Sequence, residues 1–141
     1  LQYAEMLKQD TYQKKLDQRI IFAGLCKDMP GAFKLCDLTV SPSIYPESFG
    51  RVAVESQAME TPVIASAIGG SLETILHGKT GWLFKPEDSD AFANALTEAI
   101  VEQKKREHMG MKAREWVENN FTTELMCEKT LKVYEELLSN G

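Results

Sequence analysis

The feature that most constrains this chain is an alternation of short apolar runs with helical patterns. The apolar runs are rich in β-branched residues, and the helical patterns repeat their apolar positions about every 3.6 residues. Nearly all-apolar strands that alternate with helices predict an α/β fold, with a parallel sheet covered by helices on both faces. The predicted strands are 19–23, 38–41, 62–66 and 80–84, and the predicted helices are 1–16, 30–35, 50–59, 72–76, 88–102, 103–119 and 122–138.

In such a sheet, ligands bind at the carboxyl ends of the strands. Three connections leave that edge, namely 24–26, 42–49 and 67–70. Two of them contain glycine and the other contains two prolines. The sequence therefore predicts one rim where these loops converge on a small molecule.

The middle connection leads directly into a helix that begins near Phe49 and Gly50. The first turn of a helix has unpaired N–H groups and the positive end of the helix dipole, and Gly50 lets a ligand approach the backbone closely. Two carboxylates, Glu47 and Glu55, bracket this turn. The pattern indicates an anion site, although an ordinary strand-to-helix turn is the alternative.

Composition excludes several classes of function. The chain has 141 residues, 43% of them hydrophobic and 26% charged, which fits one ordinary domain. Its net charge of −5 argues against a nucleic-acid partner. No apolar run approaches the roughly 20 residues of a membrane span.

Three cysteines, Cys26, Cys36 and Cys127, are an odd number and have no Cys-x-x-Cys spacing. They favour free thiols in a reducing compartment, so we expect a cytoplasmic protein without a metal site. The chain opens with Leu1 rather than methionine, which suggests a fragment of a longer protein.

The central stretch resembles a known enzyme family. Glu47-x7-Glu55 with Phe49-Gly50 between them is followed by the segment 57–66, by Gly69-Gly70-x-x-Glu73, and by Gly78-x-Thr80-Gly81-Trp82-Leu83-Phe84. These blocks resemble the retaining, nucleotide-sugar-dependent glycosyltransferases of the GT-B fold, a family that includes lipopolysaccharide and capsule glycosyltransferases and glycogen and sucrose synthases. The resemblance implies a Rossmann-like donor-binding domain, whose parent enzyme transfers a sugar from a nucleoside diphosphate to an acceptor. In bacteria this acceptor would be a cell-envelope glycan.

The resemblance also implies a role for individual residues. A carboxylate suits the recognition of hydroxyl groups because it accepts two hydrogen bonds at once. No metal, cofactor or protein nucleophile is implied. The implied contacts are donor sugar at Glu47, Ser48, Phe49 and Gly50, diphosphate at Gly50, Arg51 and Val52, ribose at Glu55, and nucleobase at Leu25 and Cys26.

The resemblance covers only the latter part of a C-terminal donor domain. Residues 1–120 would form the α/β core and residues 121–141 the helix that crosses to the other domain. The acceptor-binding domain, and a basic pair that grips the diphosphate, would precede Leu1. We therefore expect the isolated chain to be inactive. We expect its parent enzyme to have no transmembrane segment, and peripheral binding of that enzyme to the inner membrane is compatible with this.

One residue departs from the family pattern. Glu60 stands where the family has glycine as the left-handed cap after a helix, so it takes either a different cap or a strained backbone.

Other residues have ordinary interpretations. We expect Trp82, Phe84, Trp116 and Phe121 in the core, and His77, His108 and the basic run 104–106 on the surface.

Two other classes of function remain open at this point. One is a non-catalytic, Rossmann-like nucleotide-binding domain, and the other is a domain that docks a partner through its C-terminal helices. A glycosidase pair at Glu47 and Glu55 is disfavoured, because a helix N-terminus lowers a carboxyl pKa whereas a glycosidase acid needs a raised pKa.

Overall fold

A computed structural model describes residues 2–139 and contains a three-stranded parallel sheet in the order β1-β2-β3. The strands are β1 (Thr39–Ser41), β2 (Val63–Ser66) and β3 (Gly81–Phe84). Thr39 is opposite Val63 in the first pairing, and Val63 is opposite Gly81 in the second. Three of the four predicted strands are therefore present, each within one residue of its predicted bounds.

Seven helices accompany the sheet in the described part of the chain. Asp28 and Asp88 cap two of them by accepting hydrogen bonds from the N–H groups of Gly31 and Ala91. A break at Glu102 separates the fifth helix from the sixth, as the sequence predicts. The helices are α1 (Gln2–Gln13), α2 (Met29–Leu35), α3 (Arg51–Ala58), α4 (Ser71–Thr74), α5 (Ser89–Val101), α6 (Gln103–Asn120) and α7 (Thr123–Ser139).

The core lies on both faces of the sheet, because successive side chains of a strand point to opposite sides. On one face Ile64, Trp82 and Phe84 pack with Ala99 of α5 and Met109 of α6. The other face is built differently. There Val63 and Ala65 pack with Ala53 of α3 and with Ile75. The structure thus confirms the parallel sheet with helices on both faces.

The predicted strand at 19–23 is wrong. This segment has no regular structure, and the Ile21 side chain is 89% exposed. The N–H groups of Arg19 and Ile20 both donate to the carbonyl oxygen of Leu16, which closes a turn instead. A strand is stable only where a neighbouring strand pairs its backbone groups, and no segment within residues 2–139 pairs with this one. The rim therefore consists of two strand-end loops rather than three.

The helices at the two ends of the chain are poorly covered. α1 buries only Thr11, and α7 buries none of its described residues. None of the helices between residues 2 and 139 is long and apolar enough to cross a membrane. The division at residue 121 stays a prediction, and Leu1, Asn140 and Gly141 lie outside the described residues.

Glu60 adopts the strained alternative. Its φ angle is 61°, which is the left-handed region that glycine occupies easily. Its carboxylate pairs with Lys34 Nζ at 2.8 Å. The hydrogen bond and the charge of Lys34 lower the pKa of Glu60 below its usual value of 4.5. The ion pair therefore offsets part of the backbone strain.

Candidate functional site

A cleft lies at the carboxyl ends of β1 and β2, where the sequence predicts a ligand rim. It is formed by the loop after β1, by the first residues of α3 and by the loop after β2. Five of its lining residues carry a hydroxyl group and one carries a carboxylate. The lining residues are Ser41, Ser43, Tyr45, Glu47, Gly50, Ala53, Ala65, Ser66, Ile68 and Ser71.

The two loops of this cleft are locked together through Gly69 and Gly70. The N–H group of Gly70 donates to the carbonyl oxygen of Glu47 at 2.8 Å. A Cβ atom on Gly69 would lie 2.6 Å from that same oxygen, and one on Gly70 would lie 2.5 Å from the carbonyl carbon of Phe49. Only glycine allows this approach, so the pair fixes the backbone that carries Glu47.

The N-terminus of α3 faces this region with unsatisfied donors. Gly50 is the N-cap residue, with a φ angle of 78° and no capping side chain. Ala53 N–H donates to the Gly50 carbonyl oxygen at 3.0 Å. Within residues 2–139, the N–H groups of Gly50, Arg51 and Val52 have no hydrogen-bond acceptor. They are therefore available to an anion.

Buried polar side chains hold α3 in place behind the cleft. Ser56 Oγ lies 2.8 Å from Thr39 Oγ1 of β1. Gln57 Nε2 donates to the carbonyl oxygen of Thr74 at 3.0 Å, which ties α3 to the end of α4. Ser56 and Gln57 are completely buried. The direction in which the unsatisfied N–H groups point is thus set by the core.

The two predicted carboxylates each have one oxygen bound within the chain. Glu47 Oε1 accepts a hydrogen bond of 2.7 Å from Ser43 Oγ. Glu55 Oε1 accepts two, from Arg51 Nε at 3.0 Å and Arg51 Nη2 at 2.7 Å. Glu47 lines the cleft, whereas Glu55 lies one helical turn after Arg51 on α3. The Arg51 side chain therefore extends along α3, and its guanidinium group contacts Glu55.

An aromatic chain connects the start of α3 to the C-terminal helices. The Phe49 ring packs edge-on against Phe121 with a centroid distance of 5.7 Å, and Phe121 packs against Trp116 in the same way at 5.8 Å. Trp82 and Phe84 are buried in the core, as predicted, whereas Trp116 and Phe121 are only half-buried. Phe49, predicted as a sugar contact, thus also anchors the loop.

The remaining predicted site residues are more scattered. Ser48 is exposed on the loop beside Glu47, and Val52 is exposed in the first turn of α3. Leu25 is 91% exposed, and Cys26 is exposed with its thiol 3.2 Å from the Asp28 carbonyl oxygen. Of the predicted site residues, only Glu47 and Gly50 line the cleft. Leu25 and Cys26 follow the segment 19–23, which forms no strand, so the structure does not bring them to this rim.

Sequence reasoning missed the hydroxyl groups of the cleft, above all Ser43. A signal was present, because Ser43 follows the prolyl residue Pro42 directly at the end of β1. Residues at that position of a parallel sheet face the ligand edge. The contact itself depends on how the loop turns, which residue types alone do not specify.

Sequence comparison identifies known proteins that are similar to most of this chain. A family profile described as "Glycosyl transferases group 1" matches residues 2–116. The capsular polysaccharide biosynthesis glycosyltransferase CapM of Staphylococcus aureus is 34% identical over 95 residues, which cover 67% of this chain and 25% of that protein. The matched part of the chain spans about a sixth to a third of the length of curated relatives such as these.

Solved structures agree with this comparison. A glycosyltransferase from Rickettsia africae superposes with a TM-score of 0.93 and 33% identity, over 99% of this chain and 38% of the other. HepE of Anabaena, in complex with UDP, gives a TM-score of 0.91 and 29% identity, over 96% of this chain and 37% of the other. HepE has also been solved with UDP-glucose. These neighbours have the GT-B fold expected from the sequence.

Proposed function

Because this chain belongs to the glycosyl transferases group 1 family, we propose that it binds the nucleotide-sugar donor of a glycosyltransferase. The observation that carries this proposal is the start of α3, where three N–H groups without an acceptor among residues 2–139 lie between the two carboxylates at the carboxyl edge of the sheet. The full-length enzyme transfers a sugar from a nucleoside diphosphate to an acceptor.

The diphosphate binds at the first turn of α3 in this proposal. The N–H groups of Gly50, Arg51 and Val52 donate to its oxygens, and the positive end of the helix dipole offsets its charge. The same donors stabilise the negative charge that develops on the departing diphosphate. This arrangement supports catalysis without a metal ion, which stays a prediction.

The carboxylates recognise hydroxyl groups on either side of the diphosphate. Glu47, together with Ser48 and Phe49 on its loop, contacts the donor sugar, and Glu55 contacts the ribose. The complexes of HepE with UDP and UDP-glucose support a ligand of this class. Contact of the nucleobase with Leu25 and Cys26 belongs to the same proposal, although neither residue lies on the two loops or on the helix that form the cleft.

In the reaction, the bond between the anomeric carbon and the diphosphate oxygen breaks, and a bond from that carbon to an acceptor hydroxyl oxygen forms. The hydroxyl proton leaves with the diphosphate. We propose that the configuration is retained and that the acceptor is a cell-envelope glycan, which the similarity to CapM supports. The length of the relatives supports an acceptor-binding domain outside this chain, so we expect the chain alone to transfer no sugar.

The test is a titration of the ¹⁵N-labelled chain with UDP and UDP-glucose, followed by NMR. We expect the largest chemical-shift changes at the amides of residues 50–55, and loss of these changes in Glu55→Ala. Glu118→Ala is the matched control, because Glu118 is also paired with an arginine one turn earlier, Arg114, but in α6. Changes confined to residues outside 41–71, or an unaltered response of Glu55→Ala, would refute the donor site.

A further inference from the structure

The two carboxylates of the proposed donor site share a feature that the sequence did not indicate. In each, only one oxygen has a hydrogen-bond partner among the residues that the structure describes. Ser43 holds Glu47 Oε1 and Arg51 holds Glu55 Oε1. Among residues 2–139, neither Glu47 Oε2 nor Glu55 Oε2 has a hydrogen-bond or ion-pair partner.

We infer that Ser43 and Arg51 are positioning residues, which each fix one carboxylate oxygen and leave the other to accept a hydroxyl group of the donor. The inference rests on the proposed function, because it assigns Glu47 to the sugar and Glu55 to the ribose. It extends that function to two side chains that act through the carboxylates without touching the ligand.

For Glu47, backbone and side chain are fixed by different contacts. The Gly70 N–H group holds the carbonyl oxygen of Glu47 at 2.8 Å, and the Ser43 hydroxyl holds its carboxylate. A glutamate side chain without such a contact samples several rotamers, and ordering them on binding weakens the affinity. Ser43 therefore lowers the entropic cost of recognising the sugar.

For Glu55, the geometry is more restrictive. Two donors of one guanidinium group converge on Oε1 of Glu55, so that oxygen is held by two hydrogen bonds rather than one. Both residues lie on α3, which Ser56 and Gln57 attach to the core. A neutral side chain at position 51 removes both hydrogen bonds.

The test for Ser43 compares two ligands that differ only in the sugar. In calorimetric titrations of the chain, Ser43→Ala should bind UDP-glucose about threefold to tenfold more weakly and bind UDP unchanged, since the Glu47 side chain must then be ordered on binding. Ser43→Thr retains the hydroxyl and should restore the affinity for UDP-glucose. Unchanged UDP binding also shows that the variant is folded. Equal losses for both ligands, no loss, or no rescue by threonine would overturn the role of Ser43.

The test for Arg51 compares ligands that differ only in the ribose hydroxyls. Arg51→Met should bind UDP about threefold to tenfold more weakly, yet bind 2′,3′-dideoxy-UDP as the unaltered chain does. Arg114→Met breaks the equivalent Arg114–Glu118 pair of α6 and should change neither affinity. An equal loss for both nucleotides would instead indicate direct contact of Arg51 with the diphosphate. If the unaltered chain binds neither UDP nor UDP-glucose, the proposed function itself falls, and this inference with it.

Discussion

The central region, residues 29–121, and the terminal segments, residues 2–28 and 122–139, contain similar apolar residues but use them differently. In the central region, both faces of the sheet are buried and α2 contributes Phe33 to the interior. In the terminal segments, Thr11 is the one side chain that is buried. Tyr3, Ile21, Tyr134 and Leu137, by contrast, are more than half exposed.

This difference shows that an apolar, β-branched run forms a strand only when the chain supplies strands beside it. The residues Ile20, Ile21 and Phe22 are as suitable for a strand as Val63, Ile64 and Ala65. β2 lies between β1 and β3 and pairs on both edges. Within residues 2–139 the segment 19–23 has no such neighbour, so its apolar side chains remain exposed.

The largest expected effect comes from a comparison of two isoleucines, one in the central region and one in a terminal segment. Ile64 is completely buried between the helices and the sheet, whereas Ile21 is 89% exposed. Ile64→Ala should lower the free energy of unfolding by about 2–5 kcal/mol, because it leaves a cavity. Ile21→Ala should change it by less than about 0.5 kcal/mol. Urea denaturation of both variants measures the difference, and comparable losses would show that the segment 19–23 is packed after all.

The next prediction tests whether the close approach of Gly69 to the loop that carries Glu47 contributes to stability, in addition to the cost of a left-handed backbone. Gly69 and Gly78 both have positive φ angles, 57° and 73°, but only Gly69 has atoms near the position of a Cβ. Gly78→Ala should cost about 1–2 kcal/mol for the left-handed backbone. Gly69→Ala adds a clash with the carbonyl oxygen of Glu47 and should cost about 2–4 kcal/mol.

Binding distinguishes these two variants further. Gly69→Ala displaces the loop that carries Glu47, so it should also weaken UDP-glucose binding, which Gly78→Ala should leave intact. Equal stability losses in the two variants, measured by thermal unfolding, would contradict the locking of the two loops.

The accuracy of the strand predictions follows the same division, because β1, β2 and β3 each pair with another strand of the described chain. The helix predictions do not follow it. A helix pairs its backbone groups internally, so the poorly covered α1 and α7 were predictable from the sequence as well as the packed α3, α5 and α6. The strand at 19–23, and with it the placement of Leu25 and Cys26 on the rim, depended on a neighbour that the periodicity of the segment cannot reveal. The N-terminus of α3 was predictable from Gly50 and the flanking carboxylates. The contacts of Ser43 and Arg51 were not, because they depend on the path of a loop and on a side-chain rotamer.

The smallest expected effects concern residues other than glycine that have a left-handed backbone. Lys15, Glu60 and Glu87 all have positive φ angles near 60°. Glu87→Gly should raise the free energy of unfolding by about 1 kcal/mol, because glycine relieves the left-handed strain. Lys15→Gly lies in a terminal segment, two residues after the end of α1, and should leave the cooperative unfolding of the central region unchanged. A gain as large as that of Glu87→Gly would show that α1 unfolds together with the sheet.

Glu60→Gly relieves the same strain but also removes the ion pair with Lys34, so its gain should be smaller than that of Glu87→Gly. The pKa of Glu60 is lowered by the hydrogen bond and charge of Lys34. The ion pair therefore contributes fully above pH 4.5, the usual pKa, and its contribution is lost as the pH falls through the lowered pKa. The difference between the two variants should be present at pH 7 and disappear in strongly acidic buffer. A difference that persists in acid would show that the turn before β2, and not the ion pair, distinguishes Glu60 from Glu87.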